Sequence, residues 1–168
     1  MSRKFHFTVP YAVPVEDLHR AITTDDAWQT RFAVAETATL DLSHPDGADS
    51  IRIHMTEKAP DDKIPGLVRK VLTSELTFSR VDNWQPLDGA VAKGTFEIAT
   101  GGIKTEMSGT YEMHPTAEGS EIEVIGSVRV KVALVGKAIE PLAEKLHRRV
   151  LAGECHSIEE WLDTRPDA

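Results

Sequence analysis

The chain holds 168 residues, enough for a single domain whose core needs no disulfide or metal to support it. Its formal net charge is −8, from 27 acidic against 19 basic residues, and no basic run interrupts that balance. Nucleic acid and anionic membrane surfaces are therefore poor partners for it.

The first residues, Met1 to Phe7, are basic but run into Pro10, Pro14, Glu16 and Asp17, so they do not read as a signal peptide. No stretch approaches the roughly 20 apolar residues of a membrane span, and the expectation is a soluble, cytoplasmic protein. Phe5, Phe7 and Val9 alternate with polar neighbours, which predicts a strand over Arg3 to Val9. Leu18, Ala21 and Ile22 are spaced for a short amphipathic helix beginning after Pro14. Thr23 and Thr24 are N-cap candidates for a second one, with Ala27, Trp28 and Phe32 as its apolar residues. Ala38 to Leu42 and Ile51 to Met55 form a hairpin around His44-Pro-Asp-Gly, apolar on one face and wet on the other.

Pro60 and two aspartates break the pattern, after which Ile64, Leu67, Val68, Val71 and Leu72 predict two helical turns from Pro65. The segment 64–72 reads equally as a connector or as a lid over a cavity. Four strands follow, within Ser74–Trp84, Ala92–Ile98, Ile103–Met113 and Ile122–Val132. Gly94, Gly109 and Gly126 share their inward parity, a device for a bend or a close approach. The last stretch, Leu134 to Leu162, carries Ile139, Leu142, Leu146, Val150, Ile158, Trp161 and Leu162 at helical steps. Glu140, Glu144, Arg148 and Glu154 are assigned to its wet face. Pro141 predicts a break, with a short turn over Val132 to Ile139 and the main helix from about Glu140. Leu142, Leu146 and Val150 would then be its inner wall. The domain is expected to span 1–163, with a frayed tail over 164–168.

The order β-α-α-β-β-β-β-β-β-α resembles the START-like, or SRPBCC, helix-grip superfamily over nearly the whole chain. Val130-Lys-Val-Ala-Leu-Val-Gly-Lys-Ala-Ile-Glu140, Ile64-Pro-Gly-Leu-Val-Arg69, Gly94-Thr-Phe-Glu97 and Gly109-Thr-Tyr111 resemble one bacterial branch of unknown function within it. The resemblance implies an α+β fold, a seven-stranded antiparallel curved sheet wrapped around a long C-terminal helix. It also implies an apolar cavity for a hydrophobic or amphipathic small molecule, such as a lipid, isoprenoid or polyketide. It implies no reaction, because the superfamily includes carriers, cyclases, hydrolases and regulators.

The residues name no catalytic group. No His-x3-His or Cys-x2-Cys pair, GxSxG, P-loop or dinucleotide GxGxxG is present, so neither metal nor cofactor is expected. Cys155, the single cysteine, reads as a small, partly buried helix residue. Inward parity and helix position instead nominate ligand-binding residues: Trp28, Phe32, Met55, Leu67, Phe78, Arg80, Phe96, Met107, Tyr111, Leu142 and Leu146. Arg80 reads either as an anchor for a ligand carboxylate or phosphate or as a salt-bridged residue near a strand end. Tyr111 reads as a ligand contact or general acid, or as a core tyrosine bonded to backbone. Trp84 reads as a rim or turn residue, and His147 as a surface histidine. Three functions remain open: a carrier or binder of a hydrophobic molecule, a small cyclase or dehydratase using Tyr111 and Arg80, and a protein-interaction module using 64–72. Nothing in the pattern sets an oligomeric state.

Overall fold

A computed structural model describes residues 2–164. Strand β1 (Arg3–Tyr11) leads through helices α1 (Val15–Ile22) and α2 (Asp25–Phe32) to the hairpin β2 (Thr39–Ser43) and β3 (Ile51–Lys58). A single 3-10 turn at Asp61–Lys63 and the four-residue helix α3 (Gly66–Arg69) precede β4 (Thr77–Trp84). Strands β5 (Ala92–Gly101), β6 (Thr105–Thr116) and β7 (Gly119–Val130) then lead into α4 (Gly136–Thr164). All seven strands join one antiparallel sheet in the order β1-β7-β6-β5-β4-β3-β2. This is the α+β helix-grip arrangement that the sequence predicts. The tail expectation falls on residues outside those described, except Thr164, which is the last residue of α4.

Alternation along the strands decides what the helix meets. Phe5, Phe7, Val9 and Tyr11 of β1 and Ile122, Val124 and Val128 of β7 are buried, while their neighbours face outward. Helix α4 lies on β1 and β7 and is tied to α2 near its C-terminal end. There, Arg31 donates to the Ser157 hydroxyl at 2.7 Å and the Trp161 indole donates to Asp26 at 2.9 Å. The glycines on inward parity serve close approach. Gly109 and Gly126 face one another across β6 and β7, and a Cβ on Gly126 would lie 2.8 Å from the rings of both Phe5 and Phe96.

Two helix expectations need correction. Helix α3 covers four residues instead of two turns, because the chain leaves it to bond Thr73 N–H to the Gly102 carbonyl at 2.8 Å. Helix α4 begins at Gly136 and runs through Pro141 without stopping. Proline costs one backbone bond there, near the helix start. The Glu140 carboxylate anchors that first turn instead, accepting the Val130 N–H at 3.0 Å.

The inner face of α4 also differs from the expected one. Leu142 is 36% exposed and Leu146 39%, whereas Glu140, His147 and Glu154 are buried. These three lie seven residues apart, two turns at a time, so they share the centre of the buried stripe. Leu142 lies roughly 140° around the helix from His147, and Leu146 roughly 100°. The inner wall is therefore Ile139, His147, Leu151, Glu154 and Ile158, not Leu142 and Leu146.

Candidate functional site

Strand β4 turns Arg80, Asp82 and Trp84 toward the helix by simple alternation, and all three are buried. Directly above, α4 supplies Glu154, and β6 supplies Tyr111. The Arg80 guanidinium reaches the Glu154 carboxylate at 2.5 Å and the Asp82 carboxylate at 3.3 Å. The Tyr111 hydroxyl donates to the other Asp82 oxygen at 3.1 Å. Arg80 is thus salt-bridged, as one of its two sequence readings held, but the pair is buried under the helix. Tyr111 bonds a carboxylate instead of backbone.

Burial sets the protonation of this cluster. Desolvation pushes the Asp82 carboxyl up to about 6 despite the guanidinium beside it, which pulls the other way. Burial alone would lower the Arg80 pKa, but the Asp82 and Glu154 charges outweigh it and hold the guanidinium protonated. Burial also raises the Tyr111 phenol well above its ordinary range, helped by the Asp82 charge. At neutral pH Tyr111 is therefore a donor.

Beside the cluster an aromatic column fills the space between sheet and helix. Trp84 stacks on Tyr111 at 5.2 Å, Tyr111 on Phe96 at 4.8 Å, and Phe96 meets the His147 ring at 4.8 Å. Burial, reinforced by the Arg80 charge, pushes His147 down to about 3, so its imidazole is neutral. The His147 Nε2 has no hydrogen-bond partner among the described residues. His147 is core, not surface.

What remains of the expected cavity is small. A small, partly open space of about 20 Å³ lies at the polar end, lined by Tyr11, Trp28, Asp82, Trp84, Tyr111 and Glu154 among others. That is room for about one water. In this conformation the site is closed by its own side chains.

Of the nominated residues, the structure brings Trp28 and Tyr111 to that space, with Arg80 immediately behind its acidic wall. Trp28 also donates to the Ile22 carbonyl at 2.8 Å, which joins α2 to α1. Phe96, Met55 and Met107 are buried elsewhere in the core, and Leu67 and Phe78 pack partly buried against it. Phe32 lies apart, on an open groove between α2 and the last turns of α4. Leu142 and Leu146 face away from the interior. Asp82, Glu154 and His147 were not nominated. Asp82 shares the parity of Arg80 on the same strand, and that signal was available. Trp84 turns out to line the cavity.

Cys155 is half-buried, donates its thiol to the Pro10 carbonyl at 3.3 Å, and is pushed up to about 12 by burial and the Glu159 carboxylate. It is not a thiolate at neutral pH. The segment 64–72 turns Val68 inward and keeps Ile64, Leu67, Val71 and Leu72 packed against the core. It presents no exposed large apolar side chain. No helix of the described residues is long and apolar enough to cross a membrane.

The family model described as a protein of unknown function, DUF2505, matches residues 6–162. The chain belongs to the DUF2505 family. An uncharacterized protein of Mycobacterium tuberculosis and one of Mycobacterium bovis are each 25% identical to it over 150 residues, covering 84% of this chain and 86% of theirs. Among solved structures, the Zhui aromatase/cyclase from Streptomyces sp. R1128 has a TM-score of 0.59 at 14% identity, over 100% of this chain and 98% of its own. Ara h 8.0201 has a TM-score of 0.59 at 15% identity, over 98% and 99% of the two chains. Norcoclaurine synthase from Thalictrum flavum has a TM-score of 0.57 at 15% identity, over 96% and 87%. At such identities the likeness establishes the helix-grip fold, and a DUF2505 member shares that fold without inheriting a chemistry.

Proposed function

We propose that this protein binds a small amphipathic molecule between the sheet and α4, at the polar end of their interface. One observation carries the reading. Four polar groups, Arg80, Asp82, Tyr111 and Glu154, converge under the helix beside a small space lined by aromatic and aliphatic residues. A core built only for stability gains little from such a cluster, since apolar residues of similar volume do as well or better. Convergent polar groups in an apolar surround are what a ligand site uses to fix orientation. The described conformation is the closed form, and binding requires the wall made by α1, α2 and α4 to part from the sheet. That the aromatase/cyclase neighbour shares the fold is consistent with this reading. Native mass spectrometry of the purified protein, followed by solvent extraction, tests it directly. A copurifying lipid, isoprenoid or polyketide-like molecule supports the reading, and a mass equal to the bare chain after screening such ligands overturns it.

A cyclase-type or dehydratase activity on the same ligand is a second reading, favoured by one pair of residues. The Asp82 carboxyl, raised to about 6 by burial, accepts the Tyr111 hydroxyl and is poised to exchange a proton near neutral pH. Tyr111→Phe is then expected to abolish turnover of a bound molecule while leaving its binding in place. Docking of a partner protein through 64–72 finds no support in the packed apolar side of that segment.

A further inference from the structure

We infer that the molecule bound at this site carries a cationic nitrogen, a primary or secondary ammonium on an apolar body, seated against Asp82 and Glu154. The inference rests on the ligand-binding reading above and specifies the chemistry of its ligand.

The argument begins with which polar groups face the space. Asp82 and Glu154 line it, and Arg80 does not. Ionised carboxylates only accept hydrogen bonds. Tyr111 also lines it, but its hydroxyl proton is already given to Asp82 at 3.1 Å. The wall is therefore set to receive a donor. Charge points the same way. One guanidinium stands against two carboxylates, all three side chains at least 93% buried, and the neighbouring imidazole of His147 is neutral. A buried surplus of negative charge is costly unless a proton or a cation balances it. Burial first, with the Glu154 charge adding to it, raises the proton affinity of Asp82 against the pull of Arg80.

A ligand carboxylate or phosphate would place a third anion beside Asp82 and Glu154, and like charges at such a site are strongly disfavoured. The anion-anchor reading of Arg80 therefore gives way. One guanidinium nitrogen serves both carboxylates, and Arg80 is not among the residues that line the space. Its Nε, in a side chain 7% exposed, has no partner among the described residues. The remaining walls suit a cation on an apolar body. Trp28 and Trp84 are among the lining residues, and ammonium groups are attracted to aromatic rings in a desolvated site. Ile22, Leu151 and Ile158 supply the apolar surround.

The test uses the whole wild-type chain and three probes with a common body: 2-phenylethylamine, 2-phenylethanol and 3-phenylpropionate. Binding is followed by NMR at the indole N–H signals of Trp28 and Trp84, at low and high salt. The amine is expected to shift these signals and to bind at least roughly tenfold tighter than the alcohol, with the carboxylate weakest. High salt is expected to leave that order in place, since buried charges are screened little. In Glu154→Gln, whose fold is checked by circular dichroism, the amine is expected to weaken roughly tenfold and the alcohol to hold. If the alcohol or the carboxylate matches the amine, the charge inference fails and the binding reading stands. Unchanged amine affinity in a folded Glu154→Gln also overturns the charge inference. If no probe shifts either indole, both fall. The wild-type ranking alone decides the matter should Glu154→Gln not fold.

Discussion

The sheet–helix interface has two ends that obey different rules. At one end the rings of Phe5, Phe7, Phe96 and His147 fill the volume, with centroids 4.8–6.5 Å apart and only the exposed Arg148 guanidinium against them, over Phe7. At the other, Arg80, Asp82, Glu154 and Tyr111 bury two carboxylates and a guanidinium around a space for one water. The first end is what a stable core looks like. The second departs from it in charge and in packing at the same place, and the ligand-binding proposal rests on the coincidence of both departures.

The strongest way to break this contrast is to remove the one cation. Arg80→Met leaves two buried carboxylates facing one another and is expected to cost about 3–5 kcal/mol, read by urea unfolding at pH 7. Adding Asp82→Asn and Glu154→Gln to it is expected to recover most of that loss, because no unpaired charge then remains. A triple variant as unstable as the single one would mean that Arg80 acts mainly by filling space.

The two ends should also respond to pH in opposite directions. His147 has an ordinary value of 6.5 and a folded value of about 3. A depressed folded pKa means that stability is present above about 6.5 and is lost as pH falls toward 3. Asp82 rises from an ordinary 3.8 to about 6, so its contribution is complete below 3.8 and is lost as pH rises through 6. His147→Phe removes the acid-sensitive term, and its advantage over the parent should grow from pH 7 to pH 4 by on the order of a few kcal/mol. Asp82→Asn removes the other term, and its advantage should grow from pH 4 to pH 7. Thermal melts of the three proteins across this range check both. Identical slopes for parent and variants would show that neither group is the one that titrates.

Most of the fold could be read from strand alternation, because a two-residue period with one wet face leaves little choice of register. Arg80 and Tyr111 were legible for the same reason. Asp82 shares that parity, and its burial follows from the same alternation. The helix was harder. Its apolar residues mark a stripe off the true one, because Glu140, His147 and Glu154 occupy the centre of the inner face. Each is admitted by something on another element. Glu140 takes the Val130 N–H, Glu154 takes Arg80, and His147 sits neutral among rings. Periodicity of hydrophobic residues cannot reveal partners that are far away in the chain. The expected apolar cavity is reduced to a small space for a related reason, since parity says which residues face inward and not whether they meet.

At the aromatic end the contrast can be sharpened with a single methyl group. Gly126 lets Phe5 and Phe96 press against the β7 backbone, and a Cβ there would lie 2.8 Å from both rings and from the Ser108 carbonyl. Gly126→Ala is therefore expected to cost about 1–3 kcal/mol by overpacking. Chemical denaturation measures it. If the cost is near zero, that end is less tightly filled than the ring distances imply.

The smallest effect is expected on the outer side of α4. Leu146 is 39% exposed and lies away from the His147 stripe. Lysine keeps four methylenes over the same apolar ground and sends its charge to water. Leu146→Lys should then change stability by no more than about 0.5 kcal/mol. A leucine that truly formed the inner wall would instead leave a buried, unpaired ammonium, and the helix would be forced off the sheet. Paired with Arg80→Met, this substitution separates two residues that the sequence nominated together. One holds the charged end of the interface in place, and the other rides on the back of the helix that covers it.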